Sequence, residues 1–229
     1  MDKVSLKLPD DADVRVDEAI KTLRTNIQFS GSNVKVILMT SAVPNEGKSL
    51  ISWKTAQAFA QMGRKTLFID ADIRKSILLQ RIQPDHVVKG LSQYLSGQCG
   101  EDDCICETNV PHLDVIFAGP YAPNPTELFE EAAFHTLVEH ARARYDVIII
   151  DTAPLGSVID AAIIARECDG SILVVESGNV GYKLLNRTKA QLQRTGVRVL
   201  GVVLNKVSTK KGSYYGSYYG SYYGSSEGK

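Results

Sequence analysis

Val34-Lys35-Val36-Ile37-Leu38-Met39-Thr40-Ser41 runs without a break into Ala42-Val43-Pro44-Asn45-Glu46-Gly47-Lys48-Ser49, and Leu50-Ile51-Ser52-Trp53 continues with helical character. An apolar, β-branched run feeding a short polar loop and then a helix is a strand–turn–helix joint. Five further runs repeat the first part of this pattern, at 65–72, 113–119, 145–152, 170–177 and 197–205. Several are apolar throughout, as expected of parallel strands covered by helices on both faces. Helical periodicity is expected between them near 15–29, 48–62, 126–143, 158–167 and 181–195. This alternation implies right-handed crossovers and a three-layer α/β fold with a mostly parallel sheet.

The chain has 229 residues, 44% of them apolar and 23% charged, which suits one full-sized α/β domain and excludes a wholly disordered or fibrous protein. Lys+Arg and Asp+Glu balance at 26 each, so no standing basic field argues for nucleic acid, and none is expected as a partner. No segment approaches a membrane span, and the start lacks the apolar core of a secretory signal, so a cytoplasmic location is expected. Cys99, Cys104, Cys106 and Cys168 lack zinc-ligand spacing and are read as free thiols. His86, His112, His135 and His140 form no triad or metal pattern, and Trp53 is expected in the core or an interface. After Lys211 the tetrapeptide SYYG repeats three times from Ser213 to Gly224, placing six of the ten tyrosines in this tail. Without aliphatic residues and with Gly at every fourth position, it is expected to be a disordered extension.

The loop reads A-x-x-x-x-G-K-S, one residue from the phosphate-loop signature, with Ala42 at the first glycine position. Consecutive N–H groups at a helix start cradle an anion, so Pro44, Asn45, Glu46, Gly47, Lys48, Ser49 and Leu50 are candidates to wrap the phosphates of ATP. Lys48 reaches the β- and γ-phosphates, and Ser49 offers a hydroxyl directly to Mg²⁺. A second acidic site follows at Asp70-Ala71-Asp72-Ile73-Arg74, with both carboxylates on one side of an extended strand end. The plainer alternative is that one Asp caps the next helix. Asp151 closes the apolar run Val147-Ile148-Ile149-Ile150, the Walker-B arrangement. Asp70 and Asp151 are expected to hold Mg²⁺ through water. Three Asp at two strand ends beside a phosphate loop make one Mg-nucleotide site on a P-loop NTPase fold. Asn205-Lys206 ends the last strand and is a candidate for the nucleotide base, a strand-terminating Asn being about as good a reading.

These motifs resemble the bacterial tyrosine kinases (BY-kinases) of capsule and exopolysaccharide production over nearly the whole chain. Ala42 to Ser49 matches their Walker A, Asp70 to Arg74 their Walker A′, and Ile148-Ile149-Ile150-Asp151-Thr152-Ala153-Pro154 their Walker B. Pro123-Asn124-Pro125-Thr126-Glu127-Leu128 looks like the family's P-N-P-x-E-L segment. Glu18, Lys21 and Arg24 resemble its E-x2-R-x2-R oligomerisation motif, with Lys in the middle place, so charge is kept and bidentate geometry lost. The resemblance implies an N-terminal segment with an oligomerisation helix (1–30), a P-loop kinase domain (31–207) and a tyrosine-rich tail (208–229). It implies a homo-oligomeric ring, an octamer by family resemblance. It further implies a membrane adaptor of the polysaccharide co-polymerase type whose cytoplasmic tail activates the kinase, placing it at the inner face of the plasma membrane, and a cognate phosphatase.

On this reading the tail is substrate, and Tyr214, Tyr215, Tyr218, Tyr219, Tyr222 and Tyr223 are the phosphorylation sites, modified in trans by a ring neighbour. Eighteen residues separate Leu204 from Tyr222, a reach of up to roughly 60 Å. Lys48, Asp70, Asp72 and Asp151 are the expected catalytic set, with Asp70 or Asp72 taking the phenol proton. Two rival readings are a deviant P-loop partitioning or positioning ATPase and an ATP-binding scaffold without phosphotransfer. The first uses a lysine where this chain has Val43 and has no reason to carry six tail tyrosines; phosphotyrosine formation with ATP separates both from a kinase.

Overall fold

The computed structural model describes residues 1–8 and 13–208. Ten strands and nine helices follow in chain order: β1 (Asp2–Val4), β2 (Leu6–Lys7), α1 (Val14–Phe29), β3 (Val36–Ser41), α2 (Lys48–Ala60), β4 (Thr66–Asp70), α3 (Leu78–Arg81), β5 (Gln83–Pro84), α4 (Leu91–Leu95), α5 (Glu101–Cys104), β6 (Cys106–Thr108), β7 (Leu113–Ile116), α6 (Pro125–Glu130), α7 (Ala132–Arg144), β8 (Val147–Asp151), α8 (Asp160–Ile164), β9 (Gly170–Glu176), α9 (Tyr182–Arg194) and β10 (Val199–Asn205). Eight strands form one sheet in the order β1-β6-β7-β4-β8-β3-β9-β10, and β2 and β5 form a small antiparallel pair. Every neighbouring pair in the large sheet is parallel except β6–β7.

The apolar runs explain the layers. Side chains alternate across a strand, so Val36 and Leu38 enter one core while Ile37 and Met39 enter the other. Leu67 and Ile69 oppose Phe68 in the same way, and Ile148 and Ile150 oppose Val147 and Ile149. The first core is closed by α4, α7, α8 and α9, the second by α1 and α2. Each fully buried Ile or Leu contributes about 1.5–3 kcal/mol, so one run of five commits both faces of the sheet. Helix α2 lies between α1 and the sheet, and Ile51, Trp53, Ala56, Ala58 and Phe59 are all buried along it. Trp53 stacks edge-on against Phe68 at 5.4 Å, which places it in the core.

Three expectations change. The helix expected over 126–143 is two helices, α6 and α7, broken at Glu131 where the backbone turns extended (φ −69, ψ 151). The break brings Phe129 and Phe134 into the same core, edge to face at 5.2 Å. The helix near 158–167 ends its α-helical part at Ile164 and finishes as a single 3-10 turn, Ala165–Glu167. The second strand stops at Asp70 rather than running to Asp72, so the two carboxylates do not share an extended strand end. The segment 1–30 supplies β1 to the edge of the main sheet and α1 to the layer over α2. Strands β1, β2, β5 and β6 are two or three residues long, too short to show a period. The SYYG repeat and its six tyrosines lie outside the described residues. Among the described residues, no helix is long and apolar enough to cross a membrane.

Candidate active site

The site forms where β3, β4 and β8 deliver their carboxyl ends to the start of α2, the edge at which parallel sheets bind ligands. The loop after β3 is held from several sides. Glu46 is buried, and its Oε2 accepts the N–H groups of Ala42 and Val43 at 2.8 and 2.9 Å. Its Oε1 accepts the Glu176 N–H at 2.9 Å, pinning the loop to the end of β9. Asn205 Nδ2 donates to the Glu46 carbonyl at 2.9 Å, and Lys206 Nζ donates to the Asn45 carbonyl at 2.7 Å. Asn205 and Lys206 thus meet the loop backbone. Asn45 (φ 67) and Gly47 (φ 84) are left-handed. A Cβ on Gly47 would lie 2.2 Å from Asn205 Nδ2, so this position admits only glycine. Ala42 is not among the left-handed residues, and so tolerates its side chain. The close approach falls instead on Gly156, where a Cβ would sit 2.0 Å from the Ala42 carbonyl oxygen.

Lys48 opens α2 and is buried, with Nζ donating to Asp151 Oδ1 at 2.8 Å and to Ser49 Oγ at 3.1 Å. The Ser52 hydroxyl, one turn on, donates to the same Asp151 oxygen at 2.9 Å. Asp70 and Asp151 are register partners on β4 and β8, both buried. Burial, and then repulsion from Asp151, pushes the Asp70 carboxyl up to about 7, against the hydrogen bond donated to it by the Ser76 hydroxyl. Asp72 sits in the following turn, where its Oδ1 accepts the Lys75 N–H at 3.1 Å while its own N–H donates to Asp70 Oδ1 at 3.2 Å. It therefore braces a turn and caps no helix, α3 beginning only at Leu78. Burial also raises the Asp72 carboxyl, with Lys48 opposing. Arg74 forks onto Asp160 at 2.6 and 2.9 Å, and the Thr126 hydroxyl accepts from Arg74 and donates to Asp160. This network ties the P-N-P-x-E-L segment to the turn that carries Asp72.

The first-turn N–H groups of Lys48, Ser49 and Leu50 lack carbonyls one turn earlier within the helix, and with the buried ammonium they suit a polyphosphate. Ser49, Asp70 and Asp151 are hard oxygen donors suited to Mg²⁺. Among the described residues no three His, Cys, Asp or Glu groups are arranged to hold a metal by themselves.

The expected oligomerisation residues lie apart from this site on α1. Lys21 pairs with Glu18 at 2.6 Å on the exposed face, whereas Arg24 turns inward and donates to the Ala58 carbonyl at 3.1 Å. Three of the four histidines serve surface pairs: His86 with Asp2 and Asp85, His135 with Glu167, His140 with Glu101. The thiols are unbridged, Cys104 and Cys106 buried and Cys99 and Cys168 half-buried. Sequence reasoning passed over Glu46 as a side chain, and over Ser52, Ser76, Thr126 and Asp160. Ser52 was within reach of it, four residues after Lys48 on one helix face. Asp160 had no local signal, since its partner Arg74 is 86 residues away.

A loop of this shape, at the head of a doubly covered parallel sheet, defines a P-loop nucleotide-binding protein. The family model described as an AAA domain matches residues 34–199. A tyrosine-protein kinase CpsD of Streptococcus agalactiae is 45% identical over 194 residues, covering 85% of this chain and 84% of the relative. The tyrosine-protein kinase YwqD of Bacillus subtilis is 37% identical, covering 82% and 80%. Among solved structures, the kinase domain of the Escherichia coli tyrosine kinase ETK superposes with a TM-score of 0.77 at 32% identity, covering 84% of this chain and 77% of that one. The septum site-determining protein MinD of Pyrococcus horikoshii, solved with Mg-ADP, reaches 0.64 at 21% identity over 77% and 72%, a likeness of fold alone. The chain belongs to the bacterial tyrosine-protein kinases and is itself a protein-tyrosine kinase, which sets aside the partitioning-ATPase and scaffold readings.

Proposed function

We propose that this kinase transfers the γ-phosphoryl group of Mg·ATP to its own C-terminal tyrosines, in trans within a ring oligomer, and thereby regulates capsule or exopolysaccharide synthesis and export. The observation that carries this reading is the departure point of the tail. The last strand ends with Asn205 and Lys206 bonded to the phosphate loop itself, and Tyr214 follows eight residues after Lys206. The acceptor tyrosines thus leave the fold at the edge of the site that would modify them.

The first-turn N–H groups of Lys48, Ser49 and Leu50 would hold the phosphates, and Lys48 would supply positive charge to the transferring group. Bound Mg²⁺ would neutralise charge on the β- and γ-oxygens, held directly by Ser49 and through water by Asp70 and Asp151. The phenol oxygen bonds to the γ-phosphorus as the bond to the bridging oxygen breaks, leaving ADP and a phosphotyrosine. The phenol proton passes to Asp70 or Asp72. Both carboxylates already accept hydrogen bonds, Asp70 from the Asp72 N–H and the Ser76 hydroxyl and Asp72 from the Lys75 N–H, so occupancy does not separate the two. Asn205 and Lys206, bonded to the loop backbone, are the residues assigned to the nucleotide base.

The ring is supported by apolar surface on the oligomerisation helix, where Val14 is 73% and Phe29 83% exposed and available to a neighbouring subunit. Recruitment to the inner membrane face by an adaptor, and reversal by a phosphatase, follow from the family resemblance. A mixing experiment tests the assignment in trans. Full-length Lys48→Met chain is incubated with an active chain whose six tail tyrosines are Phe. Phosphotyrosine on the Lys48→Met chain is expected; its absence, with the wild type labelling normally, would overturn transfer in trans.

A further inference from the structure

Helices α8 and α9 enclose a groove of about 640 Å³ on the sheet face away from α1 and α2. Its floor is apolar, built by Ala162, Ile163 and Ala190, and Ile159 stands 46% exposed at its mouth. Around that floor stand Arg166, Arg187 and Arg194, all exposed. The ion-paired arginines among the described residues are Arg15, Arg74, Arg142 and Arg144, so these three have no carboxylate partner there. The helix itself is one-sided in charge. Tyr182–Arg194 carries Lys183, Arg187, Lys189 and Arg194 and no acid, in a chain that is neutral only as a whole, with 26 basic and 26 acidic residues.

An apolar floor ringed by unpaired guanidinium groups suits a ligand that is aromatic at one end and doubly anionic at the other. Arginine forks bind phosphate oxygens bidentately, and their planes stack on aromatic rings. The volume lies within the usual range for small-ligand clefts. We propose that this groove binds phosphorylated tyrosines of the chain's own tail, holding the product away from the active site. The proposal rests on the reading of the tail as substrate.

Position and spacing favour that occupant. Helix α9 starts, and β10 ends, at the carboxyl edge of the sheet, so the tail leaves the fold one element away from Arg187. Six residues separate Ser208 from Tyr214, a reach of about 20 Å. Arg187 and Arg194 lie two turns apart, about 10 Å along the helix, and an extended tetrapeptide repeat advances about 13 Å. Successive tyrosine pairs therefore match the length of the basic rim. An anionic membrane surface is the competing occupant of a basic helix, but a concave cleft with a recessed apolar floor fits a side chain better than a flat bilayer.

The test uses the full chain with its six tail tyrosines changed to Phe, its nucleotide site filled with Mg·ADP, and fluorescent synthetic peptides of residues 209–229. The peptide phosphorylated on its tyrosines is expected to bind at least 10-fold more tightly than the unmodified one. The combined change Arg166→Gln, Arg187→Gln and Arg194→Gln is expected to abolish that preference while melting temperature and ADP binding stay unchanged. Equal binding of both peptides would overturn the proposal. So would phosphopeptide binding that survives the triple change, or an Arg-dependent preference for phosphatidylglycerol vesicles over the phosphopeptide. Because the peptides are made chemically, the result does not depend on self-modification. If the wild type incubated with ATP gains no tail phosphotyrosine, the reading of the tail as substrate fails, and the peptides still decide the groove separately.

Discussion

At Lys48 the packing of the fold and the proposed chemistry meet in one residue. Its ammonium is buried against Asp151 at 2.8 Å, in a site that also contains Asp70. Breaking a buried pair leaves an uncompensated charge, so Lys48→Met is expected to lower the stability of the nucleotide-free protein by about 3–5 kcal/mol. It should also reduce tyrosine phosphorylation by at least about 100-fold. Urea unfolding and phosphotyrosine blotting of the same preparation separate the two effects. Asp70→Asn is expected to act oppositely on stability, because it removes a carboxylate that burial and Asp151 already disfavour. The melting temperature of the nucleotide-free variant should rise while the transfer rate falls by about 100-fold or more; a melting temperature below wild type would contradict the repulsion inferred here. Ala42 at the first glycine position needed no compensation, since the backbone there is not left-handed and the loop's tight contact is met by Gly156.

At the scale of elements, the phosphate loop is a strut between β3 and β9 as much as a ligand site. Glu46 spends both carboxylate oxygens on backbone N–H groups. Glu46→Gln replaces one acceptor with a donor, leaving a buried N–H unpaired at a cost of about 1–3 kcal/mol. ATP affinity is expected to fall about 10-fold by calorimetry, since the loop would no longer be held in its binding shape. The edge strand β1 is tied down by His86, which lies 3.0 Å from Asp2 and 2.9 Å from Asp85. Hydrogen bonds to Asp2 and then to Asp85 raise the imidazole above its usual value. Its contribution is therefore full below about pH 6.5 and is lost as pH rises through the folded-state value. Amide exchange in β1, corrected for intrinsic rate, is expected to accelerate between pH 6 and 8, and His86→Gln to flatten that dependence. The long strands and α1, α2 and α9 were readable because their periods extend over many residues. The break at Glu131 was not, because it is decided by where Phe129 and Phe134 find room in a common core.

For the whole molecule, charge is the quantity that activity would change. The chain is formally neutral, and each phosphotyrosine adds about −1.5 to −2, so six would bring it to roughly −9 to −12. Tails crowded in a ring would then repel one another. Phosphorylation by ATP is expected to shift the oligomer to smaller species in light scattering, while the chain with six Phe in the tail keeps its size. A wild-type oligomer of unchanged mass after complete modification would sink this expectation.

The sequence alone carried the sheet, its helical cover, the phosphate loop and the three aspartates, because hydrophobic period and loop spacing are local properties that survive without a structure. It also carried the tyrosine repeat. Tertiary structure decided how those parts are held: Glu46 bridging to β9, Ser52 and Lys48 converging on Asp151, Ser76 on Asp70, and Arg74 reaching Asp160 across 86 residues. It alone set Asp72 into a turn and gathered Arg166, from the turn after α8, and Arg187 and Arg194, from α9, around one groove with no carboxylate partner among the described residues. Those relations join residues far apart in the chain, and only the packing of strands and helices brings them within hydrogen-bonding range.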